Sequence, residues 1–215
     1  MVTDAASTRT RVSLFPLPGA LLFPGLQLPL HIFEPRYRAL VSDALARDRR
    51  IALIQPREAE VKGGPPPALY QVGALGRIVE VQALEDGRFN VILEGIGLFR
   101  VLRELDTATA FRQAEVRMLP LASVEAIPAI LRVALLDEAR GFAKWLGYVV
   151  DWDGVEELDD ATLVNAMAQI VPFDPAAKQA LLEAGDLQSR ADLLMQLMRF
   201  AVSQPRPGDD GPPVQ

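Results

Sequence analysis

No cysteine occurs in this sequence, and there is a single histidine, His31. The first absence removes disulfides, thiolate nucleophiles and thiolate metal sites together, and it suits a reducing compartment. The second tells against a triad hydrolase, which needs a histidine beside its nucleophile; no Gly-x-Ser-x-Gly turn accompanies His31. One imidazole without thiols is also a poor start for a zinc site. Nucleotide hydrolysis needs a glycine-rich phosphate cradle followed by Lys and Ser or Thr. The nearest approach, Lys62-Gly63-Gly64, runs into Pro65-Pro66-Pro67 and opens no helix. A serine–lysine dyad is arithmetically open through Lys62, Lys144 or Lys178, but none lies in a recognisable motif. Long apolar runs are missing too. The longest candidate, residues 14–30, is broken by Pro16, Pro18, Pro24 and Pro29, short of the roughly 18 residues a span needs. Residues 1–11 are polar and show no secretory-signal core. The expectation is a cytoplasmic protein without membrane span, cofactor, metal or catalytic residue.

Half of the 215 residues are apolar and 23% are charged, so a real core can form in one large domain or two small ones. The net charge of -6 repels phosphate backbones and disfavours nucleic acid. Arg47, Arg49 and Arg50 are the one tight basic cluster along the chain.

The apolar pattern changes period half-way. Residues 12–17 and 26–33 are proline-punctuated strands separated by Pro18-Gly19 and Pro24-Gly25 turns; prolines inside such runs place them at edges, bends or bulges. A helix starts at Pro35, with Tyr37, Leu40, Val41, Ala44 and Leu45 at helical spacing. Residues 51–54 form a brief strand, and 55–68 a long loop of the kind that is often functional. Residues 77–84 and 89–93 flank Asp86-Gly87, a strong hairpin signal, and 99–105 and 111–119 supply two more strands. After Pro120 the spacing of Ile127, Leu131, Leu135, Phe142, Leu146 and Val149 is helical. Further helices start at Asp160, at Asp174-Pro175 and after Asp186. The expected architecture is α+β. Residues 1–10 form a flexible terminus, 11–120 a small mixed β barrel, 121–203 a helical subdomain and 204–215 a disordered tail.

Many dispersed motifs, in one order, carry a resemblance. They are Leu14-Phe15-Pro16-Leu17-Pro18, Leu22-Phe23-Pro24-Gly25 and Leu28-Pro29-Leu30-His31-Ile32-Phe33-Glu34-Pro35-Arg36-Tyr37, then Tyr70-Gln71-Val72-Gly73 and Gly95-Ile96-Gly97-Leu98-Phe99-Arg100-Val101. Together with Val171-Pro172 and Lys178 to Glu183 they resemble the substrate-binding domain of Lon-type proteases from Leu14 to Phe200. Leu98 departs from the pattern, where the family often has arginine. The resemblance implies a PUA-like mixed β pseudo-barrel followed by a C-terminal helical subdomain, standing alone without ATPase or peptidase domains. It implies noncatalytic recognition of unfolded or tagged polypeptide segments, as an adaptor or quality-control factor working with a protease or chaperone. The rivals are a PUA-type nucleic-acid or nucleotide-binding module and an uncharacterised hydrolase.

The candidate peptide contacts are His31, Glu34, Arg36 and Tyr37 at the strand-to-helix junction, Lys62, Gly63 and Gly64 in the long loop, and Trp152. Each has a structural alternative. His31 in an apolar strand is expected to bury its ring with one nitrogen hydrogen-bonded. Glu34 can favour a helix N-terminus and Arg36 can pair with a carboxylate. Trp152 stands in an acidic run with Asp151, Asp153, Glu156, Glu157, Asp159 and Asp160 and is expected to be exposed, with Trp145 in the core. That run lacks the glycine turn and terminal glutamate of a calcium loop, and reads as a solvated inter-helix segment that supplies caps.

Overall fold

A strand buried on both faces reads as an unbroken apolar run, and Ile51-Ala52-Leu53-Ile54 is such a run at the centre of the fold. In the computed structural model, which describes residues 9–61, 63–120 and 126–204, contacts divide the chain into two units. The first holds the described part of 1–123 together with 165–183, and the second the described part of 124–164 and 184–215.

The first unit is built on β1 (Arg9–Pro16), β2 (Gln27–Ile32), α1 (Pro35–Ala46), β3 (Arg50–Ile54), β4 (Val72–Ala83), β5 (Phe89–Leu105) and β6 (Gln113–Met118). The sheet order is β2-β5-β4-β3-β1-β6, and an additional β5–β6 pairing closes β5, β4, β3, β1 and β6 into a ring. Among the paired strands of the described residues only β1–β3 is parallel, and its crossover carries α1. All five ring strands contribute to one apolar cluster, through Leu14, Ala52, Leu75, Phe99 and Val116. Alternate residues Phe15, Leu53 and Ala74 point the other way and join Tyr37, Leu40, Val41 and Ala44 of α1 in a second cluster, where Leu98 packs as well.

The strands expected at 89–93 and 99–105 are one strand of 17 residues. Its first part pairs with β2 and β4 and its last part with β6, so a single bent strand serves three neighbours. Gly95 lies in the middle because backbone approaches it closely: an added Cβ would sit 2.1 Å from the Phe23 carbonyl oxygen. The Asp86-Gly87 hairpin forms as read, with Gly87 at φ 78° and its N–H donated to the Leu84 carbonyl at 2.9 Å. Pro29 is accommodated because β2 is an edge strand.

Residues 165–183, helical by pattern, group with the sheet for a visible reason. Gln55, 1% exposed, donates from Nε2 to the Pro175 carbonyl and to Gln179 Oε1, both at 3.1 Å. Gln179 in turn donates to the Val72 carbonyl at 3.0 Å. These groups belong to α5 (Pro175–Glu183) and to the strand ends, and the two buried amides link the elements; Gln55 Oε1 also accepts from Gly19 N, and Gln179 Nε2 also donates to Glu183. Lys178 is buried and donates to the Gln169 carbonyl at 2.9 Å, in the last turn of α4 (Asp160–Ile170). Burial holds its pKa below the usual lysine value.

The second unit contains α2 (Ala129–Leu146), α3 (Trp152–Glu156), the start of α4 and α6 (Leu187–Ser203). Leu135, Ala139 and Phe142 of α2 and Ala191, Leu194 and Met198 of α6 are buried, and the two helices pack together. Gly147 in the left-handed conformation ends α2, so Val149 falls outside the helix and is fully exposed instead of extending its apolar face. The expected caps form: Asp174 accepts from Ala177 N and Asp186 from Ser189 N. The expected tail lies, from residue 205 on, outside the described residues, as do residues 1–8; β1 begins at Arg9.

Candidate functional site

The β2-to-α1 junction places four candidates together. Glu34 is the N-cap of α1 in extended conformation, and its carbonyl accepts from Tyr37 N at 3.0 Å and Arg38 N at 2.9 Å. Its carboxylate does not cap the helix. It turns to Arg36, whose Nε donates to Oε2 at 3.0 Å. Arg36 also forks onto Glu60, with Nη1 to Oε1 at 2.8 Å and Nη2 to Oε2 at 2.5 Å, so loop 55–71 is tied to the helix start. This pairing holds the Arg36 pKa above its usual value and the Glu60 carboxyl below its own. The Arg36 guanidinium lies 4.6 Å from the Tyr37 ring centroid. Tyr37 is buried against Phe15, centroids 4.4 Å apart, and its hydroxyl donates to the Pro16 carbonyl at 3.3 Å. Burial pushes the Tyr37 phenol up to about 12.

These groups border a cavity of about 300 Å³, walled by Phe15, Leu30, Phe33, Pro56 and Pro67, with His31, Glu34, Arg36 and Glu60 on its polar side. Phe33 is 61% exposed there. The structure thus brings His31, Glu34, Arg36 and Tyr37 to one cavity together with two prolines and a glutamate of the long loop.

The other candidates lie elsewhere. Gly63, at φ 77°, and Gly64, whose N–H donates to the Val61 carbonyl at 2.9 Å, make a turn in the loop and do not line the cavity. Lys62 is outside the described residues. Trp152 belongs to the second unit, in α3. It is half-buried, contrary to the exposed ring expected, because Arg140 covers it at 5.3 Å from the ring centroid and also pairs with Glu156. Trp145 is also half-buried, stacked on Phe142.

The expectation of a buried His31 ring is corrected as well. β2 turns Ile32 inward and His31 outward, so the imidazole is exposed. Both nitrogens are engaged, Nδ1 with Asn90 Oδ1 at 2.7 Å and Nε2 with Arg88 Nη1 at 3.2 Å. Arginine can only donate, so Nε2 accepts and Nδ1 carries the proton. Phe33 and Glu60 were missed as site residues. Phe33 stood in a quoted motif, whereas Glu60 becomes a partner of Arg36 only across 24 residues of chain.

Glu34, Arg36 and Glu60 at the cavity are paired with one another, His31 is held by Asn90 and Arg88, and the walls are apolar; the arrangement suits an apolar segment better than bond-making chemistry. Among the described residues no group of three or more His, Cys, Asp or Glu is placed to hold a metal, and no helix is long and apolar enough to cross a membrane. Arg47 and Arg50 of the basic cluster pair with Asp43 and Asp48.

A family model described as the ATP-dependent protease La (LON) substrate-binding domain matches residues 11–199. The chain belongs to this family. It is 29% identical over 213 residues to Lon protease 2 of Sorangium cellulosum, covering 92% of this chain and 26% of that protein. To the Lon protease of Escherichia coli K12 it is 25% identical over 201 residues, covering 91% and 25%. The chain therefore spans about a quarter of the length of the curated relatives it matches. Two solved structures share the fold of this Lon substrate-binding domain. The Lon N-terminal domain protein from Xanthomonas campestris superposes with a TM-score of 0.64 at 22% identity, covering 89% of this chain and 98% of that one. The N-terminal domain of Lon protease from the Mycobacterium avium complex gives 0.65 at 19% identity, covering 88% and 98%.

Proposed function

We propose that the chain is a noncatalytic recognition module that captures extended, partly apolar polypeptide segments in the cavity between β2, the start of α1 and the loop 55–71. Membership of the Lon substrate-binding domain family supports substrate recognition. The observation that carries the site is the open apolar cavity with Phe33 standing 61% exposed at its wall. An exposed aromatic ring in a concave apolar setting supplies a large contact at small entropic cost, and neighbouring prolines leave the walls stiff. An unfolded segment offers apolar side chains at alternate positions, and the β2 edge stands beside the cavity to take its backbone. An adaptor or quality-control role, delivering such segments to a protease or chaperone, is the setting in which capture alone is useful.

The test is fluorescence anisotropy of a labelled unfolded polypeptide, such as carboxymethylated casein, with the wild type and with Phe33→Ser. The variant is expected to weaken capture on the order of tenfold while its melting temperature is unchanged, since Phe33 is already mostly solvated. Undiminished capture by Phe33→Ser would remove the cavity as the site.

A further inference from the structure

Strand register assembles a charged surface that the linear sequence conceals. Arg9 of β1 stands opposite Arg117 of β6, and Arg117 stands opposite Arg100 of β5. One rung along, Arg11 and Arg103 flank Glu115. Residues directly opposite in a sheet point to the same face with Cβ atoms about 5 Å apart. The alternating residues Val116, Ala114 and Phe99 enter the ring interior, so both rungs lie on its outer face, and all five arginines are exposed.

The first rung sets arginines directly opposite one another with no carboxylate between them. Arg36, Arg47, Arg50, Arg88, Arg112, Arg132 and Arg140 each have a carboxylate partner. Among the described residues, Arg9, Arg100 and Arg117 have none; Arg100 reaches only Gln71 Oε1, at 3.4 Å. In the second rung, Arg103 takes Glu115 at 2.8 Å and Arg11 donates to Gln113. Five arginines against one glutamate leave four positive charges on two rungs, in a chain whose net charge is -6. Like charges directly opposite destabilise a sheet, so this arrangement carries a cost that an anionic partner would relieve.

We propose that the outer face of β1, β6 and the end of β5 binds an acidic polypeptide segment through forked arginine–carboxylate pairs. The rungs are two residues apart along β1 and β6, about 6.7 Å, which is also the spacing of alternate side chains in an extended peptide; along β5 a bulge sets Arg100 and Arg103 three residues apart. A peptide running along the strands thus sets carboxylates at i and i+2 on successive rungs, where each meets guanidinium forks. Nucleic acid fits less well. The two rungs hold only Arg and Glu, so bases find no aromatic platform, and a net-negative chain repels a long polyanion. This surface is independent of the cavity and stands whether or not the cavity captures apolar segments.

The test measures fluorescence polarisation of labelled hexaglutamate with the full chain at about 50 mM salt, where screening is modest. Arg100→Gln/Arg117→Gln is expected to weaken binding on the order of tenfold. Arg47→Gln/Arg49→Gln, with the same change in net charge, should leave binding near wild type. The first variant should melt no earlier than the wild type, because it separates like charges. The proposal is overturned if hexaglutamate shows no saturable binding, or if both variants weaken it equally. Tighter binding of single-stranded oligothymidylate than of hexaglutamate by the wild type would assign the face to nucleic acid instead. A lower melting temperature for Arg100→Gln/Arg117→Gln would show that the fold relies on these arginines, and the argument from their cost would fail.

Discussion

Two arginines, one in each unit, keep similar company. Arg36 lies 4.6 Å from the Tyr37 ring centroid and pairs with Glu34 and Glu60; Arg140 lies 5.3 Å from the Trp152 centroid and pairs with Asp137 and Glu156. The difference lies beneath the rings. Tyr37 is 7% exposed, wedged against Phe15 in a core cluster, with an apolar cavity on its flank. Trp152 is half-buried on a five-residue helix that contributes no buried residue. The same pairwise chemistry borders a cavity in one place and forms a surface clasp in the other. What separates them is concavity, which an edge strand, a helix start and a long loop create together around Arg36.

Removing the two rings measures that difference most strongly. Tyr37→Ala takes away a buried aromatic, its contact with Phe15 and its hydrogen bond to Pro16, and is expected to cost about 3–5 kcal/mol of unfolding free energy. Trp152→Ala loses a half-buried ring and one cation–π contact, about 1 kcal/mol. Denaturant titrations followed by circular dichroism give both numbers. Losses of equal size would erase the distinction between core-anchored and surface arginine clasps.

Alkali should reach only the first cluster. The Tyr37 phenol is raised from 10.0 to about 12 by burial, so the folded state holds the proton more tightly than the unfolded one. Its contribution is then fully present below pH 10 and is lost as the pH rises through about 12, on the order of 2 kcal/mol in all. Tyr37→Phe has no proton to lose. At neutral pH it should be weaker than wild type by about 1 kcal/mol, for the lost bond to Pro16. Between pH 10 and 12 the wild type should fall toward the variant and then below it. A constant gap across that range would mean that the phenol is not buried as described.

Much of the fold is readable from local chemistry. Pro35 sets the start of α1, Asp86-Gly87 the hairpin, Asp174 and Asp186 two helix starts, and Pro29 an edge strand. These devices act within a few residues, so they show in sequence. What did not show depends on register and on distant partners. A gap of five residues between two apolar runs reads as a turn until Gly95 is seen pressed against the Phe23 backbone. His31 reads as buried until the inward phase of β2 falls on Ile32. The helices at 165–183 follow the helical period, yet Gln179 satisfies Gln55 and Val72 of the sheet unit. At the candidate site, His31, Glu34, Arg36 and Tyr37 lie within seven residues of chain and so show in sequence, while Glu60 does not. The arginines at 9, 100 and 117 become neighbours only through strand pairing.

The smallest expected effect compares the two clasps through their carboxylates. Glu60→Gln and Glu156→Gln each remove one charge from an arginine that keeps a second acidic neighbour, Glu34 or Asp137. Both pairs are partly exposed, with Arg36 and Arg140 at 36% and 39%, so water screens them and each substitution should cost less than about 1 kcal/mol. Capture of unfolded polypeptide should separate them. Glu60 anchors the loop that supplies Pro56 and Pro67 to the cavity, so Glu60→Gln should loosen one wall and weaken capture several-fold, whereas Glu156→Gln should leave it unchanged. Acid provides an independent check with a definite sign. The Glu60 carboxyl is held below its ordinary 4.5 by Arg36, so the clasp is intact above that value and is lost as the pH falls through the lower folded value. Capture by the wild type should therefore decline in that acid range toward the level of Glu60→Gln, whose own capture should vary less with pH. If Glu60→Gln captures as well as wild type while Phe33→Ser does not, the ring and not the loop wall defines the cavity's grip.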